Sequence, residues 1–234
     1  MDKFMDNTDP MAIQLEGLSQ RFGRTWAVNR LDLNIATGEA IGVLGPNGSG
    51  KSTLLRMLTT LLPPTRGRGK IFGCDLVRQS GEVRRQIHWL GHDFNLYTQL
   101  TAIENLKLFF GFQGAKADTR LIRQALEKVG LIPAADKPVS AFSAGMRKRL
   151  AMAKIFLKKT PLILLDEPHT NLDREGRDLM NQMIAQWKKE GATLMLATHD
   201  HSTVLPLCDK ILVLNNGEKT YFGPTGDLPK EIEL

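Results

Sequence analysis

The stretch Gly45-Pro46-Asn47-Gly48-Ser49-Gly50-Lys51-Ser52-Thr53 constrains this chain more than any other. It fits the pattern G-x-x-x-x-G-K-[ST], with Gly45, Gly50, Lys51 and Ser52 at the fixed positions. Glycines there let backbone N–H groups turn inward and approach phosphate oxygens, which a side chain would block. Lys51 supplies a mobile positive charge for the outer phosphates, and the Ser52 hydroxyl is a hard oxygen suited to Mg²⁺. A helix starting near Lys51 adds its positive dipole end. Upstream, Ala40-Ile41-Gly42-Val43-Leu44 is a short apolar run, as a buried strand requires. Downstream, Thr53 to Leu58 is compatible with a helix. A chance match in a glycine-rich turn has no reason to sit between a strand and a helix, so the loop reads as nucleotide-binding.

A chain of 234 residues accommodates one large α/β domain, or one domain with a small insert. Its net charge of +6 suits an anionic ligand, a membrane surface or nucleic acid, and does not choose among them. The densest basic clusters, Arg84-Arg85 and Arg147-Lys148-Arg149, read as solvated helix faces. Cys74 and Cys208 lie far apart without metal-ligand spacing and read as bystander thiols of a reducing compartment. Met1 to Asp6 lacks the apolar core of a signal peptide, and no segment approaches 18 uninterrupted apolar residues. The expectation is a cytoplasmic protein, soluble or peripheral on a membrane.

Taken in order, residues 1–11 read as a flexible lead-in and residues 12–234 as a single domain with a helical insert at about 92–160. Ala12 to Leu18 and Leu31 to Ile35 alternate apolar and polar, which predicts antiparallel strands with one wet face. Phe22 lies between them; its local surroundings favour core packing over stacking on a purine. Pro63-Pro64 breaks the chain, and Gly69 to Gly73 and Ile87 to Gly91 read as further short strands. From Thr101 to Val129 the pattern is helical, with Leu106, Phe109 and Phe110 on one stripe and Leu121, Ala125, Leu126 and Val129 on another. Asp118 is the predicted N-cap of the second helix and Gly130 its stop. Leu162 to Leu165 and Thr193 to Ala197 are apolar runs fit for central parallel strands, with helical propensity between them from Asp178 to Lys189. Asn215-Asn216-Gly217 joins the last two strands as a hairpin.

A phosphate loop does not say what the nucleotide is for; the second half of the chain does. Asp166 closes the apolar run Leu162 to Leu165, where it can accept hydrogen bonds from the shell of a Mg²⁺ ion. Glu167 follows at the C-terminal edge of the sheet, where ligands of parallel sheets bind. A carboxylate there can orient and polarise the water that attacks a γ-phosphate. Two acids at a strand end also describe a solvated loop, but Pro168 directly after and Asn171-Leu172-Asp173 at fixed offset argue against it.

On these residues the chain resembles the ATP-binding-cassette (ABC) ATPases, from about Ile13 to Gly226. The resemblance implies an α/β P-loop NTPase cassette with a parallel-sheet core, an antiparallel β subdomain and a helical subdomain. It implies that Phe22 stacks on adenine and that Gly45 through Thr53 form the Walker A loop. It makes Phe142-Ser143-Ala144-Gly145-Met146 the signature, with Ser143, Ala144 and Gly145 as nucleotide contacts. Asp166 becomes the Walker B carboxylate and, with Ser52, the Mg²⁺ holder. Glu167 becomes the catalytic glutamate, Asp173 part of the D-loop, and His199 the switch histidine. ATP and Mg²⁺ are the implied cofactors. ATP would lie between Walker A of one subunit and the signature of a second, in a homodimer or paired cassette. Integral-membrane permease subunits complete the implied assembly, which would sit on the cytoplasmic face of the membrane.

Two departures from the family pattern stand out. The signature carries Phe142, Ala144 and Met146 where Leu, Gly and Gln are usual, and Ala144 fits only with a negative φ. After Leu90 the usual Pro-Gln is replaced by Gly91-His92. A neutral imidazole can accept a hydrogen bond from Mg²⁺-bound water, which makes His92 a further catalytic candidate. Leu90 to Asp93, with Leu100 to Leu106 and the Ser-Ala-Gly signature, resembles the ATPase of the haem exporter of cytochrome c maturation. The remaining sequence resembles equally the ABC-2-type drug or polysaccharide exporters. Haem export is therefore the first expectation and drug or polysaccharide export the alternative. A soluble cassette acting on nucleic acid is disfavoured, because this chain has one cassette and no heptad run.

Overall fold

The computed structural model describes residues 10–91 and 94–229. The chain runs β1 (Met11–Phe22), β2 (Thr25–Ala36), β3 (Ala40–Leu44), α1 (Lys51–Leu58), β4 (Arg66–Ile71), β5 (Cys74–Asp75), α2 (Ser80–Gln86) and β6 (Ile87–Leu90). It continues through α3 (Ala102–Phe112), α4 (Thr119–Lys128), two short 3-10 turns, α5 (Ala144–Leu157) and β7 (Leu162–Asp166). It closes with α6 (Arg174–Lys189), β8 (Thr193–Ala197), α7 (His201–Val204), β9 (Lys210–Asn215) and β10 (Glu218–Pro224). Two compact units result, one bounded by Met1–Trp89, Thr160–Pro168 and Met183–Leu234, the other by Leu90–Lys159 and His169–Gln182.

The first unit holds two sheets. In the antiparallel sheet, ordered β2-β1-β4-β5, strand β2 buries Leu31, Leu33 and Ile35 and exposes Asp32 and Asn34, the alternation its sequence predicts. Strand β1 departs from that alternation: Leu18, Ser19 and Gln20 are all buried where its register with β2 is irregular. Phe72 and Gly73 take left-handed φ values of 45° and 75° to turn β4 into β5. The second sheet is ordered β10-β9-β3-β8-β7-β6. Strand β3 lies between β8 and β9, parallel to both, and β7 is parallel to β8. Strands β3, β7 and β8 are buried at every residue, which is why they read as unbroken apolar runs. Asn216 and Gly217, with φ of 48° and 79°, fold β10 back antiparallel on β9. Helix α1 sends Leu54, Leu55, Met57 and Leu58 into one cluster with Ile13, Val28, Leu164, Met195 and Leu212. Each such side chain contributes roughly 1.5–3 kcal/mol by leaving water.

The second unit is helical. Thr101 opens α3 with a capping box: its hydroxyl accepts from Glu104 N, and the Glu104 carboxylate accepts from Thr101 N at 2.8 Å. Asp118 caps α4 by accepting from Arg120 N and Leu121 N, and Gly130 ends the segment at φ 68°. Ile122, Ala125, Leu126 and Val129 face the core, whereas Leu121 is 45% exposed. The core stripe of α4 is thus one residue away from the predicted one at that turn. The Arg147-Lys148-Arg149 cluster also departs from its reading as a solvated face: Lys148 is buried and Arg149 nearly so. Among the described residues no helix is long and apolar enough to cross a membrane.

Candidate active site

The phosphate loop joins β3 to α1, as its sequence position requires. Two of its glycines are demanded by distant strands as well as by phosphate access. Gly45 has φ 142°, and a Cβ there would lie 2.1 Å from the Leu214 carbonyl oxygen on β9. Gly50 has φ 107°, and its Cβ would lie 2.1 Å from the Ala27 carbonyl oxygen on β2. The loop is further tied down by Ser49 N donating to Pro46 O and Gly217 N donating to Ser49 O. Pro46, Asn47 and Gly48 form its exposed crest.

Lys51 starts α1 and folds back over the loop, its Nζ donating to the carbonyls of Gly45 at 2.6 Å and Pro46 at 2.9 Å. Burial lowers its pKa, partly opposed by the nearby Glu167 and Asp166 carboxylates. One residue on, the Ser52 hydroxyl donates to Asp166 Oδ1 at 3.1 Å, and Thr53 follows within the same helix. The hydroxyl and the buried carboxylate thus stand together beside the loop, two hard oxygens within reach of one small cation. Among the described residues no group of three or more His, Cys, Asp or Glu side chains could hold a metal alone. The Ser52 hydroxyl and the Asp166 carboxylate suit Mg²⁺, which takes one or two protein oxygens and completes its shell with phosphate and water.

Glu167 follows β7 in the left-handed region at φ 50°, which turns its side chain out of the strand direction. The carboxylate accepts from Thr198 Oγ1 at 3.0 Å, from His199 N at 3.1 Å and from His199 Nδ1 at 2.8 Å. Strand β8, parallel to β7, carries Thr198 and His199 at its end and so brings them to Glu167. With Nδ1 donating to the carboxylate, the His199 ring itself stays exposed. A carboxylate held in this way can take a proton from water without swinging free.

In the second unit, Ser143 caps α5, its Oγ accepting from Met146 N at 3.2 Å. Ala144 and Gly145 form the first turn of α5, and Ala144 is absent from the residues with positive φ, so the alanine is accommodated. Asp173 directs its carboxylate locally: Oδ1 accepts from Gly176 N at 2.9 Å and from Arg149 at 2.8 Å. Phe22, at the end of β1, is 53% exposed, against the core-packing reading of its local sequence. His92 lies outside the described residues.

The order strand, phosphate loop, helix, then β7 ending in paired carboxylates is matched by a known family: residues 28–170 fit the one described as ABC transporter. The chain belongs to that family. It is an ABC ATPase, an ATP-hydrolysing subunit. It is 36% identical over 230 residues to the daunorubicin/doxorubicin resistance ATP-binding protein DrrA of Streptomyces peucetius, covering 97% of this chain and 69% of that one. It is 36% identical to the ABC transporter ATP-binding protein NatA of Bacillus subtilis, covering 84% and 81%. The Nod factor export ATP-binding protein I of Bradyrhizobium diazoefficiens is 35% identical, with 91% and 70% covered. Among solved structures, the dimeric post-hydrolysis state of the cassette MJ0796 bound to ADP and Pi superposes with a TM-score of 0.82 at 27% identity, covering 91% and 98%. Haem export finds no support in these relatives' names, and the export of other molecules fits them better.

Several residues that shape this ABC ATPase's site escape sequence reading. Thr198 holds the second oxygen of Glu167, and its only signal was its place between β8 and His199. Lys148, Arg149 and Lys154 carry buried or half-buried cations on α5, and a run of basic residues does not distinguish a buried helix face from a wet one.

Proposed function

We propose that this chain is the ATPase of an ABC-2-type exporter that moves a bulky organic molecule out of the cell, of the kind named for its drug-resistance and Nod factor relatives. The observation that carries this is the 36% identity to a drug-resistance ATP-binding protein over 97% of the chain. Two cassettes enclose ATP, each presenting its Walker A loop to the other's signature, and separate permease subunits hold the pair at the cytoplasmic face of the membrane. Lys51 and the amides of Gly45 to Thr53 bind the phosphates, and Phe22, exposed at the end of β1, covers the adenine. Ser52 and Asp166 would hold Mg²⁺, which when bound would supply positive charge to the phosphates. Glu167 orients the attacking water, while Thr198 and His199 hold the carboxylate. Ser143, Ala144 and Gly145 face the nucleotide of the opposite cassette, with the positive end of α5 behind them.

The test is isolation of the tagged chain from detergent-solubilised membranes, followed by transport in inverted vesicles. A multispanning membrane protein should co-purify, and vesicles should accumulate doxorubicin with ATP and not with the Glu167→Gln variant. Accumulation of haem without doxorubicin would return the reading to cytochrome c maturation. Co-purification with nucleic acid and no membrane protein would refute the transporter reading.

A further inference from the structure

We propose that Lys148 and Arg149 are positioning residues that fasten the turn Thr170–Asp173 to the start of α5, so that this turn, Ser143 and Gly145 meet nucleotide as one preformed surface. The proposal rests on the two-cassette reading above and adds what holds half of that composite site in shape.

All of the groups involved lie in the helical unit. Lys148 is 3% exposed, and its Nζ donates to the Thr170 carbonyl at 2.8 Å. Arg149 donates to Asp173 Oδ1 at 2.8 Å, with Glu175 Oε2 3.5 Å away. The guanidinium is the covered partner, its side chain 13% exposed against 68% for Asp173 and 86% for Glu175. The same Asp173 oxygen accepts from Gly176 N, so one carboxylate both caps α6 and receives the guanidinium. Arg149 and that amide together hold the carboxyl below the usual carboxylate range. Asn171 reverses the turn in the left-handed region at φ 62°. Its carbonyl oxygen would lie 3.0 Å from a Cβ on Gly145, so the turn rests on the one position of the signature that has no side chain. A cleft of about 580 Å³ is lined by Ser143, Gly145, Met146, Arg149, Asn171 and Asp173 together.

The choice of buried cations is itself informative. A covered ion pair gives little net stability over apolar side chains of the same size, because desolvation offsets the attraction. What it provides here is directionality: an ammonium aimed at one carbonyl and a guanidinium aimed at one carboxylate. A turn with a left-handed Asn at its centre has alternatives, and these two contacts select one of them.

The test uses the Glu167→Gln chain, sized by light scattering with Mg²⁺ and ATP, beside the affinity of the monomer for a fluorescent ATP analogue. Arg149→Ala and Lys148→Met should each raise the ATP needed for half-dimerisation on the order of tenfold, with analogue affinity changed less than about twofold. In chains that retain Glu167, kcat should fall by a similar factor. Arg149→Lys keeps a charge within reach of Asp173 and should recover much of the loss. Should Arg149→Ala fail to fold, Asp173→Asn serves: it keeps an acceptor for Gly176 N, removes the ion pair, and should behave as Arg149→Ala is expected to. Parent-like dimerisation and kcat in these variants would overturn the proposal, as would losses that follow the melting temperature and are not recovered by Arg149→Lys. If Glu167→Gln alone does not dimerise with ATP, it is the two-cassette reading that has failed.

Discussion

Raising the pH from 7 to 9.5 should stabilise the helical unit of this protein through Lys154. That side chain is 9% exposed on α5, and its Nζ donates to the carbonyls of Phe94 at 3.0 Å and Asn95 at 2.8 Å. Burial lowers its pKa from 10.5 to about 8. A lysine depressed in the folded state penalises folding while it is protonated, below about pH 8. The penalty is relieved as the pH rises through the folded pKa, because the unfolded chain still binds the proton there. Over the full separation of the two pKa values the gain is about 3 kcal/mol, and between pH 7 and 9.5 it is about 2 kcal/mol. The neutral amine keeps two N–H groups for its two carbonyls, so the contact itself survives deprotonation. The assay is urea unfolding of the parent and Lys154→Met at pH 7 and 9.5, followed by helical circular dichroism. Other titrating groups, including the half-buried Lys158 whose pKa burial also lowers, appear in both proteins and cancel in the difference. The parent should gain about 2 kcal/mol relative to the variant over this pH interval. Equal pH slopes for the two proteins would refute the reasoning.

Three further outcomes follow from the geometry. Glu167→Gln should retain ATP and lower phosphate release by roughly two to three orders of magnitude; a parent-like rate would remove Glu167 from catalysis. Gly45→Ala places a Cβ 2.1 Å from the Leu214 carbonyl at φ 142° and should cost about 3 kcal/mol or more, with loss of ATP binding. Gly48→Ala meets nothing within 4 Å and should cost about 1 kcal/mol, so equal melting temperatures for the two variants would contradict this account. Burial pushes the Cys208 thiol up to about 12, so a thiol reagent at pH 8 should modify the half-buried Cys74 first and reach Cys208 only in urea; equal labelling rates would show that the β9 end opens readily.

The sequence by itself determined whatever depends on local chemistry. The phosphate loop with its strand and helix, the apolar runs of β3, β7 and β8, the Asn216-Gly217 turn and the caps at Asp118 and Ser143 are each specified within a few residues of themselves. So is the placement of Asp166 and Glu167 at the end of β7. Tertiary structure decided where segments distant in sequence meet. Gly45 and Gly50 are excluded from bearing side chains by carbonyls on β9 and β2, and no reading of the loop alone contains those carbonyls. Phe22 is exposed and Ile122 replaces Leu121 in the core because burial depends on what packs opposite, which periodicity does not name. The same holds for the basic run on α5. Three adjacent cations normally face water, since removing a charge from it is costly. Here Lys148 is covered because a carbonyl from a turn 22 residues away receives its charge, and that carbonyl is brought to it only by the fold.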